Sequence, residues 1–354
     1  LVFPIHPPAP QTNRRTQLPL VTIPAAMTFM EQALERVKVP AANTTEIAEV
    51  ILDSELRGKP DHGLYFFRLM IDWLQDGTIN PTPNTKITRD SLLSTTVDDD
   101  NGCGVIGMNI ATDMSIAKAK KTGMAAASVT NSRNVIALGP FVQRAAEAGL
   151  MAFACSAFRH PIIPPTNSLT GTFGTNPIAY GAPAGKHPPF VLDMATSAIA
   201  AAKVWEAQTN GETIPAGLVE YPDGSPLTEA TDYKLGESLI LPMAGVKGYG
   251  LTMMADLFGN VLAGNDWGHF IWLLNPKEFQ PIDDYYATMD EEIDRIKGGK
   301  PKPGVKEIFY PGERGQREMA RQIANGTVEV SDSSWKAAQS VSQELNVKLP
   351  AQTV

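Results

Sequence analysis

The apolar and polar positions of the chain change repeatedly between helical and strand spacing. An apolar run at 20–23 predicts a strand, helical spacing follows from about 25 to 37, and Thr44 is placed to cap a second helix through Leu56. Helices are also predicted over 111–122 and 141–148, and strands over 125–130 and 150–155. Because helices and strands alternate, the pattern predicts an α/β fold with parallel strands.

One strand-to-helix junction in the second half of the chain is the first candidate for a binding site. Phe190, Val191 and Leu192 predict a buried strand that ends at Asp193, and a helix is predicted directly after it, over 195–208. Ligands of α/β proteins bind where strand ends lead into helices. Farther along, 270–274 predicts a buried strand or dimer contact, 285–295 a solvated helix, and 298–304 a mobile linker.

Composition and charge narrow the function classes. The 354 residues are 43% hydrophobic and carry a formal net charge of −8, which disfavours nucleic acid and anionic membranes as partners. The sequence lacks a run of about 18 apolar residues that would span a membrane. Its two cysteines, Cys103 and Cys155, are predicted to be reduced thiols of a cytoplasmic protein. Residues 1–18 are proline-rich without an apolar signal-peptide core, which predicts an N-terminal arm or a processed leader, with organelle import as the alternative.

The usual nucleotide-binding fingerprints are missing from the sequence. It contains neither G-x-G-x-x-G after a strand nor G-x-x-x-x-G-K-[ST]. It contains instead four turns rich in glycine or small residues, at 171–177, 191–197, 247–250 and 311–314. Each can present backbone N–H groups or a cation to a pyrophosphate, although any one of them alone is more simply explained as a turn.

Taken together and in this order, these turns and their neighbours resemble the type-2 malate/lactate dehydrogenase family. That family includes ureidoglycolate, sulfolactate and diketogulonate oxidoreductases and cyclic-imine reductases. The resemblance runs from about Val21 to Val347. The matching stretches are E-L-R-G-K-P-D-H-G at 55–63, D-G-T-I-N at 76–80, D-N-G-C-G at 100–104, F-G-T-N-P-I-A at 173–179, F-V-L-D-M-A-T-S at 190–197, I-P-A-G at 214–217, K-G-Y-G-L at 247–251 and Y-P-G-E-R at 310–314.

The resemblance implies a homodimer of two-lobed α/β subunits whose nicotinamide-binding domain is not a Rossmann fold. It implies hydride transfer between NAD or NADP and a 2-hydroxy or 2-oxo acid, or a related carbonyl or imine compound. The implied parts are a substrate and dimerisation lobe at 19–120, a cofactor lobe at 121–297, and a C-terminal segment at 298–354 that returns to the first lobe. The residues that carry over as cofactor-binding are Val191, Leu192, Asp193, Met194, Ala195, Thr196, Ser197, Lys247, Gly312, Glu313 and Arg314.

The first substrate motif of the family reads S-H-G-x-x-R, and its arginine binds the substrate carboxylate through a bidentate ion pair. The chain retains the histidine as His62, but Asp61 replaces the serine and Phe66 replaces the arginine. Arg68 lies two positions farther on, which on a helix turns its side chain by about 200° to the other face. The resemblance therefore implies a catalytic His62 beside a substrate carboxylate that lacks its usual partner.

The second substrate motif of the family reads N-S-x-H-x-G, and its histidine exchanges a proton with the substrate oxygen. The chain retains Asn131 and Ser132, whereas Asn134 replaces the histidine and Ile136 replaces the glycine. An amide donates a hydrogen bond but does not titrate near neutral pH. Loss of a general acid or base typically costs about 10²–10⁴ in rate.

Two functional classes follow from a retained cofactor set and a changed substrate set. We expect an active NAD(P)-dependent oxidoreductase in which His62 alone handles the proton and an apolar pocket drawing on Tyr65, Phe66 and Phe67 receives a less acidic substrate. The alternative is a catalytically impaired member that persists as a cofactor-binding structural or regulatory dimer. The sequence favours neither NAD nor NADP.

The remaining polar candidates favour structural roles. His160, His187 and His269 lie beside prolines or in glycine-rich turns, and no pair has metal-ligand spacing, so no metal site is expected. The acidic run at 98–102 lacks the glutamate of a calcium loop. It is predicted to be a strand-connecting turn, with Asp99 where the family has glycine.

Overall fold

The computed structural model describes residues 18–353, so the predicted N-terminal arm lies outside the described residues apart from Leu18. The described chain forms ten α-helices and eleven strands. The strands are β1 Leu20–Thr22, β2 Lys86–Asp90, β3 Ser94–Gly102, β4 Met124–Ser132, β5 Met151–Phe158, β6 Ile178–Ala182, β7 Phe190–Met194, β8 Val219–Glu220, β9 Leu239–Ile240, β10 Trp267–Leu274 and β11 Thr327–Glu329. The helices are α1 Ile23–Arg36, α2 Ala41–Leu56, α3 Leu64–Gln75, α4 Gly104–Thr122, α5 Gly139–Glu147, α6 Ala201–Asn210, α7 Val246–Asp256, α8 Ile282–Lys297, α9 Glu313–Asn325 and α10 Asp332–Leu345.

A seven-stranded mixed sheet in the order β2-β3-β4-β10-β5-β6-β7 organises the fold. Among these seven strands, β3 and β4 are the one parallel pair of neighbours, and the other neighbours are antiparallel. The expectation of parallel strands is therefore wrong for most of the sheet. The reason is that β4 and β5, which α5 connects, do run in the same direction, but β10 lies between them and pairs with both in the antiparallel sense.

The first helices confirm the predicted elements and correct their boundaries. α1 and α2 match the predicted helices, but α2 begins at Ala41, so that Thr44 lies inside its first turn. The Thr44 hydroxyl donates a hydrogen bond to Ala41 O at 3.1 Å instead of capping the helix. α4 begins at Gly104, seven positions before the predicted start at 111, because apolar residues continue the helical spacing back to the end of β3.

The predicted helix after β7 begins at Ala201 and not at residue 195. Residues 195–200 pair with the chain near Leu241 instead: Ala198 N–H donates to Leu241 O at 2.7 Å, and Met243 N–H donates to Thr196 O at 2.9 Å. The strand that carries Asp193 is therefore followed by a hydrogen-bonded extended segment. The helical prediction for 285–295 is confirmed by α8, and the predicted strand at 270–274 lies in β10.

Two groups of apolar side chains form most of the core. The larger group lies between the sheet and α1–α5 and includes Phe29, Phe67 and Phe141, and the smaller surrounds α6, β8 and β9. Burial of each large apolar side chain contributes about 1.5–3 kcal/mol. Both cysteines are buried free thiols. Across residues 18–353, the structure contains no helix with the length and apolar composition needed to cross a bilayer.

The predicted lobe boundaries stay a prediction. β3 and β4 lie on either side of the predicted boundary at residue 120 and pair within one sheet. The C-terminal segment returns to the N-terminus, since Val328 of β11 pairs with Val21 of β1.

Candidate active site

His62 lies in the one-turn helix Pro60–His62 between α2 and α3. Its side chain is 35% exposed, and its Nδ1 atom is 3.4 Å from Asp61 Oδ2. Its ring is parallel to that of Phe66, with the centroids 6.2 Å apart. Burial opposes ionisation of Asp61, but the hydrogen bond and charge of His62 and the charge of Lys203 on α6 outweigh burial, so the pKa of this carboxyl falls below its ordinary value. Asp61 is therefore an anion beside the imidazole.

A second, buried carboxyl group lies beneath this turn. Glu55 Oε1 accepts hydrogen bonds from Leu64 N–H at 2.8 Å and from the Ser334 hydroxyl at 2.6 Å. A Cβ at Gly63 would lie 2.4 Å from the Glu55 side chain, so only glycine fits there. Burial raises the pKa of Glu55 to about 7. Glu55 thus joins α2, α3 and α10 around the turn that carries His62.

The structure corrects the expectation that Tyr65, Phe66 and Phe67 jointly form an apolar pocket. Phe67 is fully buried in the core, and Phe66 is 5% exposed, with its ring edge against Trp73 at a centroid distance of 5.6 Å. Tyr65 instead borders an open cavity of about 600 Å³ between α3, α6 and the start of α10. Charged side chains contribute to the lining of that cavity, namely Arg68, Glu206, Asp332 and Lys336.

Arg68 is held by two carboxylates on the outer side of α3. Its guanidinium forms ion pairs at 2.5 Å with Asp72 one turn later and with Glu344 on α10. An arginine engaged in this way does not replace the missing carboxylate partner at Phe66.

The residues of the second substrate motif lie at the end of β4 and in the turn that follows. Asn131 has a φ of 49°, and its side-chain amide donates to Asp98 Oδ1 at 3.1 Å. Ser132 is fully buried. The Asn134 carbonyl accepts the N–H of Gly104 at 3.0 Å, which ties the turn to the first residue of α4.

Asn134 and Ile136 have a close local contact. Asn134 Oδ1 accepts the Ile136 N–H at 2.6 Å, which leaves the NH₂ group of the side chain free to donate. Ile136 is 6% exposed and has a φ of 67°. This left-handed conformation is an outlier for a β-branched residue and is favourable for glycine. The backbone therefore retains the shape expected where the family has glycine.

A buried polar chain lies under this turn and corrects two predictions. Asp99 lies within β3 and not in a strand-connecting turn, at an irregularity where the register with β4 shifts between Asp98 and Gly102, and its Oδ2 accepts the Ser132 hydroxyl at 2.7 Å. His269 lies in β10 and not in a glycine-rich turn, with its Nε2 atom 3.1 Å from Ser132 Oγ. Burial raises the pKa of Asp99 to about 7 and lowers the pKa of His269 to about 4.

Two of the four glycine- and small-residue turns meet α7, which also carries the third, in one buried hydrogen-bond cluster. Thr252 of α7 donates through Oγ1 to Thr196 Oγ1 at 2.8 Å, and Thr196 Oγ1 donates to Asn176 O at 3.1 Å. The Asn176 amide donates to Thr252 O at 3.2 Å. All three side chains are fully buried. The segments 171–177 and 191–197 are therefore neighbours of α7, whose beginning holds 247–250.

Asp193 connects this cluster to the Asn134 turn. Its Oδ2 atom accepts the N–H of Gly139, the first residue of α5, at 2.8 Å. A Cβ at Gly139 would lie 3.1 Å from that oxygen, so glycine permits the approach. Of the other predicted cofactor residues in this segment, Val191, Thr196 and Ser197 are buried, and Leu192, Met194 and Ala195 are partly exposed.

Lys247 is exposed in the first turn of α7. The preceding loop is tight, since a Cβ at Gly248 would lie 2.1 Å from Met243 O. Among the described residues, no carboxylate lies within ion-pair distance of Lys247. The structure therefore places a cation at the positive end of a helix dipole.

The fourth turn contacts β7 through its glycine. Gly312 has a φ of 93°, and a Cβ there would lie 2.8 Å from Val191 O. Glu313 is 4% exposed and forms ion pairs with Lys297 at 2.7 Å and Arg317 at 2.5 Å. Arg314 is exposed at a cavity of about 460 Å³. Gly312 thus adjoins the predicted cofactor strand, while the carboxylate of Glu313 is committed to structural ion pairs.

Sequence reasoning missed Glu55, Asp99 and His269 as supports of the site. Two of these residues carried a signal: His269 is a polar residue within the apolar run W-G-H-F-I-W-L-L, and Glu55 faces the buried side of an amphipathic helix. The sequence contains no signal that distinguishes Asp99 from the neighbouring acids Asp98 and Asp100.

The comparisons with known proteins agree with this architecture. A family model described as malate/L-lactate dehydrogenase matches residues 21–339. A malate dehydrogenase of Pyrococcus abyssi is 30% identical and aligns with 84% of this chain and 87% of its own. The structure of a sulfolactate dehydrogenase of Methanocaldococcus jannaschii has a TM-score of 0.81 at 27% identity and covers 93% of this chain and 98% of its own. The structure of a delta1-piperideine-2-carboxylate reductase of Pseudomonas syringae has a TM-score of 0.81 at 26% identity and covers 92% of this chain and 100% of its own.

Proposed function

The chain belongs to the malate/L-lactate dehydrogenase family, and we propose that it is an NAD(P)-dependent oxidoreductase that transfers a hydride to or from a 2-hydroxy or 2-oxo acid or a related carbonyl or imine compound. The observation that carries this proposal is the hydrogen bond from Gly139 N–H to Asp193, at 2.8 Å. It links the segment proposed to bind the dinucleotide with the start of α5, three residues after the end of the substrate motif at Ile136. This contact supports the proposal, because hydride transfer requires the cofactor and the substrate to be held close together.

The cofactor half has donors that suit a dinucleotide pyrophosphate. The N–H groups of Val246 and Lys247 lie in the first turn of α7, where N–H groups have no partner within the helix, and the exposed Lys247 side chain adds a positive charge beside them. Backbone N–H groups at a helix N-terminus and a nearby cation bind phosphate oxygens. When bound, the nicotinamide dinucleotide supplies or accepts the hydride.

His62 is proposed to exchange the proton with the substrate oxygen. It is the exposed titratable group of the first substrate motif, and the anionic Asp61 carboxylate lies 3.4 Å from its Nδ1 atom. This contact orients the ring and leaves Nε2 for the substrate, the arrangement used by histidine acid–base catalysts.

Asn134 is proposed to polarise the substrate and not to transfer a proton. The Ile136 N–H occupies its side-chain oxygen, so the NH₂ group is the donor that remains. A carbonyl or carboxylate oxygen accepts from such a group, and the amide has no proton that it can give up near neutral pH.

The substrate is proposed to differ from malate and lactate. Phe66 is buried where the family has a carboxylate-binding arginine, and Arg68 is engaged by Asp72 and Glu344. Because α3 then offers no free guanidinium, a less acidic carbonyl or imine compound is the better substrate.

The proposal includes a cytoplasmic homodimer. Val246, Met253, Leu257 and Val261 follow one face of α7 and its continuation, and they are 65%, 44%, 47% and 57% exposed. An exposed apolar stripe of this spacing is typical of a helix that packs against a partner. A second copy of the chain is the occupant that the proposal assigns to it.

The test is a thermal shift with NADH and with NADPH, followed by oxidation of the bound form with pyruvate, oxaloacetate, longer 2-oxo acids and cyclic imines. Stabilisation by a nucleotide together with turnover of at least one compound supports the proposal. Cofactor binding without any turnover supports instead the impaired, cofactor-binding dimer, which the locked Asn134 oxygen favours. No binding of either nucleotide overturns the assignment of the cofactor half.

A further inference from the structure

A chain of buried side chains crosses four neighbouring strands beneath the Asn134 turn. From β5 to β3 it runs from Ser156 through His269 and Ser132 to Asp99, all at most 4% exposed. Ser156 Oγ is 2.9 Å from His269 Nδ1, which is its direct partner in the strand register. His269 Nε2 is 3.1 Å from Ser132 Oγ and 2.9 Å from the carbonyl oxygen of Arg133.

The partners of His269 determine its tautomer. The Arg133 carbonyl only accepts hydrogen bonds, so Nε2 carries the proton that points at it. Nδ1 is then an acceptor and takes the hydroxyl proton of Ser156. Full burial disfavours the imidazolium and holds the pKa of His269 at about 4, so the ring is neutral at physiological pH.

The backbone around His269 is shaped to admit this ring. A Cβ at Gly104 would lie 2.4 Å from His269 Nε2 and 2.6 Å from Arg133 O, so any side chain there would separate the ring from the carbonyl. The same Gly104 donates its N–H to Asn134 O at 3.0 Å. Gly104 thus permits the contact between His269 and the Arg133 carbonyl and itself donates the hydrogen bond to Asn134 O.

We propose that His269 is a positioning residue whose Nε2–H sets the peptide plane between Arg133 and Asn134 and thereby the direction of the Asn134 side chain. The Arg133 carbonyl and the Asn134 N–H belong to one planar unit, so the hydrogen bond from His269 constrains the backbone angles on both sides of it. Asp99 anchors the residue before Arg133, because its carboxylate accepts the hydroxyl of Ser132. This inference rests on the proposed function only in that the turn carries a substrate-contacting residue.

The first experiment uses the unmutated protein. Long-range ¹H–¹⁵N spectra of ¹⁵N-histidine-labelled protein, between pH 5.5 and 8, are expected to show His269 as a neutral ring with the proton on Nε2 throughout. Assignment comes from the signal lost in His269→Gln. A ring protonated on Nδ1, or one that gains a second proton in this range, overturns the inference whether or not the protein is an enzyme.

The second experiment compares His269→Gln with His269→Asn. The longer amide reaches the Arg133 carbonyl and restores the donor, whereas the shorter one reaches only Ser156. The Asn134 side-chain amide signal, identified by its loss in Asn134→Asp, should keep its position in the Gln variant and move in the Asn variant. With whichever of NADH and NADPH stabilises the protein, and with the compound of the panel that it turns over fastest, kcat should fall about 10- to 100-fold in the Asn variant and within about 3-fold in the Gln variant, as expected for a misplaced contact.

Three results separate the outcomes. NADH affinity is expected to be equal in both variants, because β7 does not contact His269. Equal kcat and equal Asn134 signals in the two variants overturn the positioning role. If the unmutated protein oxidises neither cofactor, the proposed function fails, while the tautomer and the Asn134 signal still decide the inference.

Discussion

The Oδ1 atom of Asn134 accepts the backbone N–H of Ile136 at 2.6 Å. This contact makes the side chain part of the turn and fixes the orientation of its amide, with the NH₂ group left free to donate. It also fixes the backbone next to Ile136, whose φ of 67° lies in the left-handed region. The chemistry and the strain of this turn are therefore coupled through two positions that a single residue separates.

The strain at Ile136 predicts an inverted order of stability for two substitutions. Ile136→Gly and Ile136→Ala both remove a buried side chain, but only glycine relieves a left-handed conformation that costs other residues about 1–2 kcal/mol. We expect the Gly variant to have the higher free energy of unfolding by about 1 kcal/mol in urea titrations. Ile106, buried in α4, is the control, because alanine is more stable than glycine in a helix. The Ala variant being the more stable at position 136 would contradict the strain.

Restoration of the family residues predicts a gain of activity on acids. Asn134→His together with Phe66→Arg supplies a titratable group and a carboxylate partner, and turnover of malate- or lactate-like acids should rise by at least about 10-fold. Because the histidine loses the oxygen that holds Ile136 N–H, the triple variant with Ile136→Gly should gain more. The measurement is cofactor oxidation or reduction with each acid. No gain in a variant that remains folded and binds cofactor would count against this account.

The buried Glu55 predicts a pH-dependent contribution to stability. Its pKa is raised from 4.5 to about 7, so between these values the folded protein keeps a proton that the unfolded chain releases. The free energy of unfolding is therefore lowered by this group as pH rises, and the full loss is present above about pH 7. Glu55→Gln removes this pH-dependent loss of stability. The difference in free energy of unfolding between the variant and the unmutated protein should therefore shift in favour of the variant by about 2 kcal/mol from pH 5 to pH 8. Denaturation of the exposed-site control Glu35→Gln should show no such change.

Lys247 predicts a selective effect on cofactor affinity. Lys247→Met removes the cation at the start of α7, and the dissociation constant of NADH or NADPH should rise about 10-fold, equivalent to about 1.4 kcal/mol. Lys120→Met, in the last turn of α4, is the charge-matched control. Isothermal titration of both variants makes the comparison. Equal affinities would remove Lys247 from the cofactor half.

The apolar stripe on α7 predicts the oligomeric state. Leu257→Arg with Val261→Arg places two charges in the proposed interface and should convert a dimer to a monomer in sedimentation velocity. Leu169→Arg, at an exposed leucine in the segment between β5 and β6, should leave the dimer intact. A monomeric unmutated protein, or a double variant that stays dimeric, would refute the assignment of the stripe.

The sequence predicts the local elements well and the long-range contacts poorly, for physical reasons. Periodicity depends on residues a few positions apart, so α1, β4 and α8 could be predicted from it. The insertion of β10 between β4 and β5 depends on pairing across more than a hundred residues, which no local pattern encodes. The same holds for Glu55, whose partner Ser334 is 279 positions away. Motif spacing, in contrast, identified Ile136 as a position for glycine, and its φ agrees with that.

The central place of β10 has a consequence for how the protein is made. β4 and β5 leave the ribosome early, each with an unpaired edge that only β10 covers, and they wait through the synthesis of α6 and α7 before it arrives. Exposed strand edges pair readily with other chains. A nascent chain cut off before Leu274 therefore lacks the middle of its sheet rather than a border. We expect such fragments to aggregate more readily than the full chain, because both of these strand edges stay unpaired.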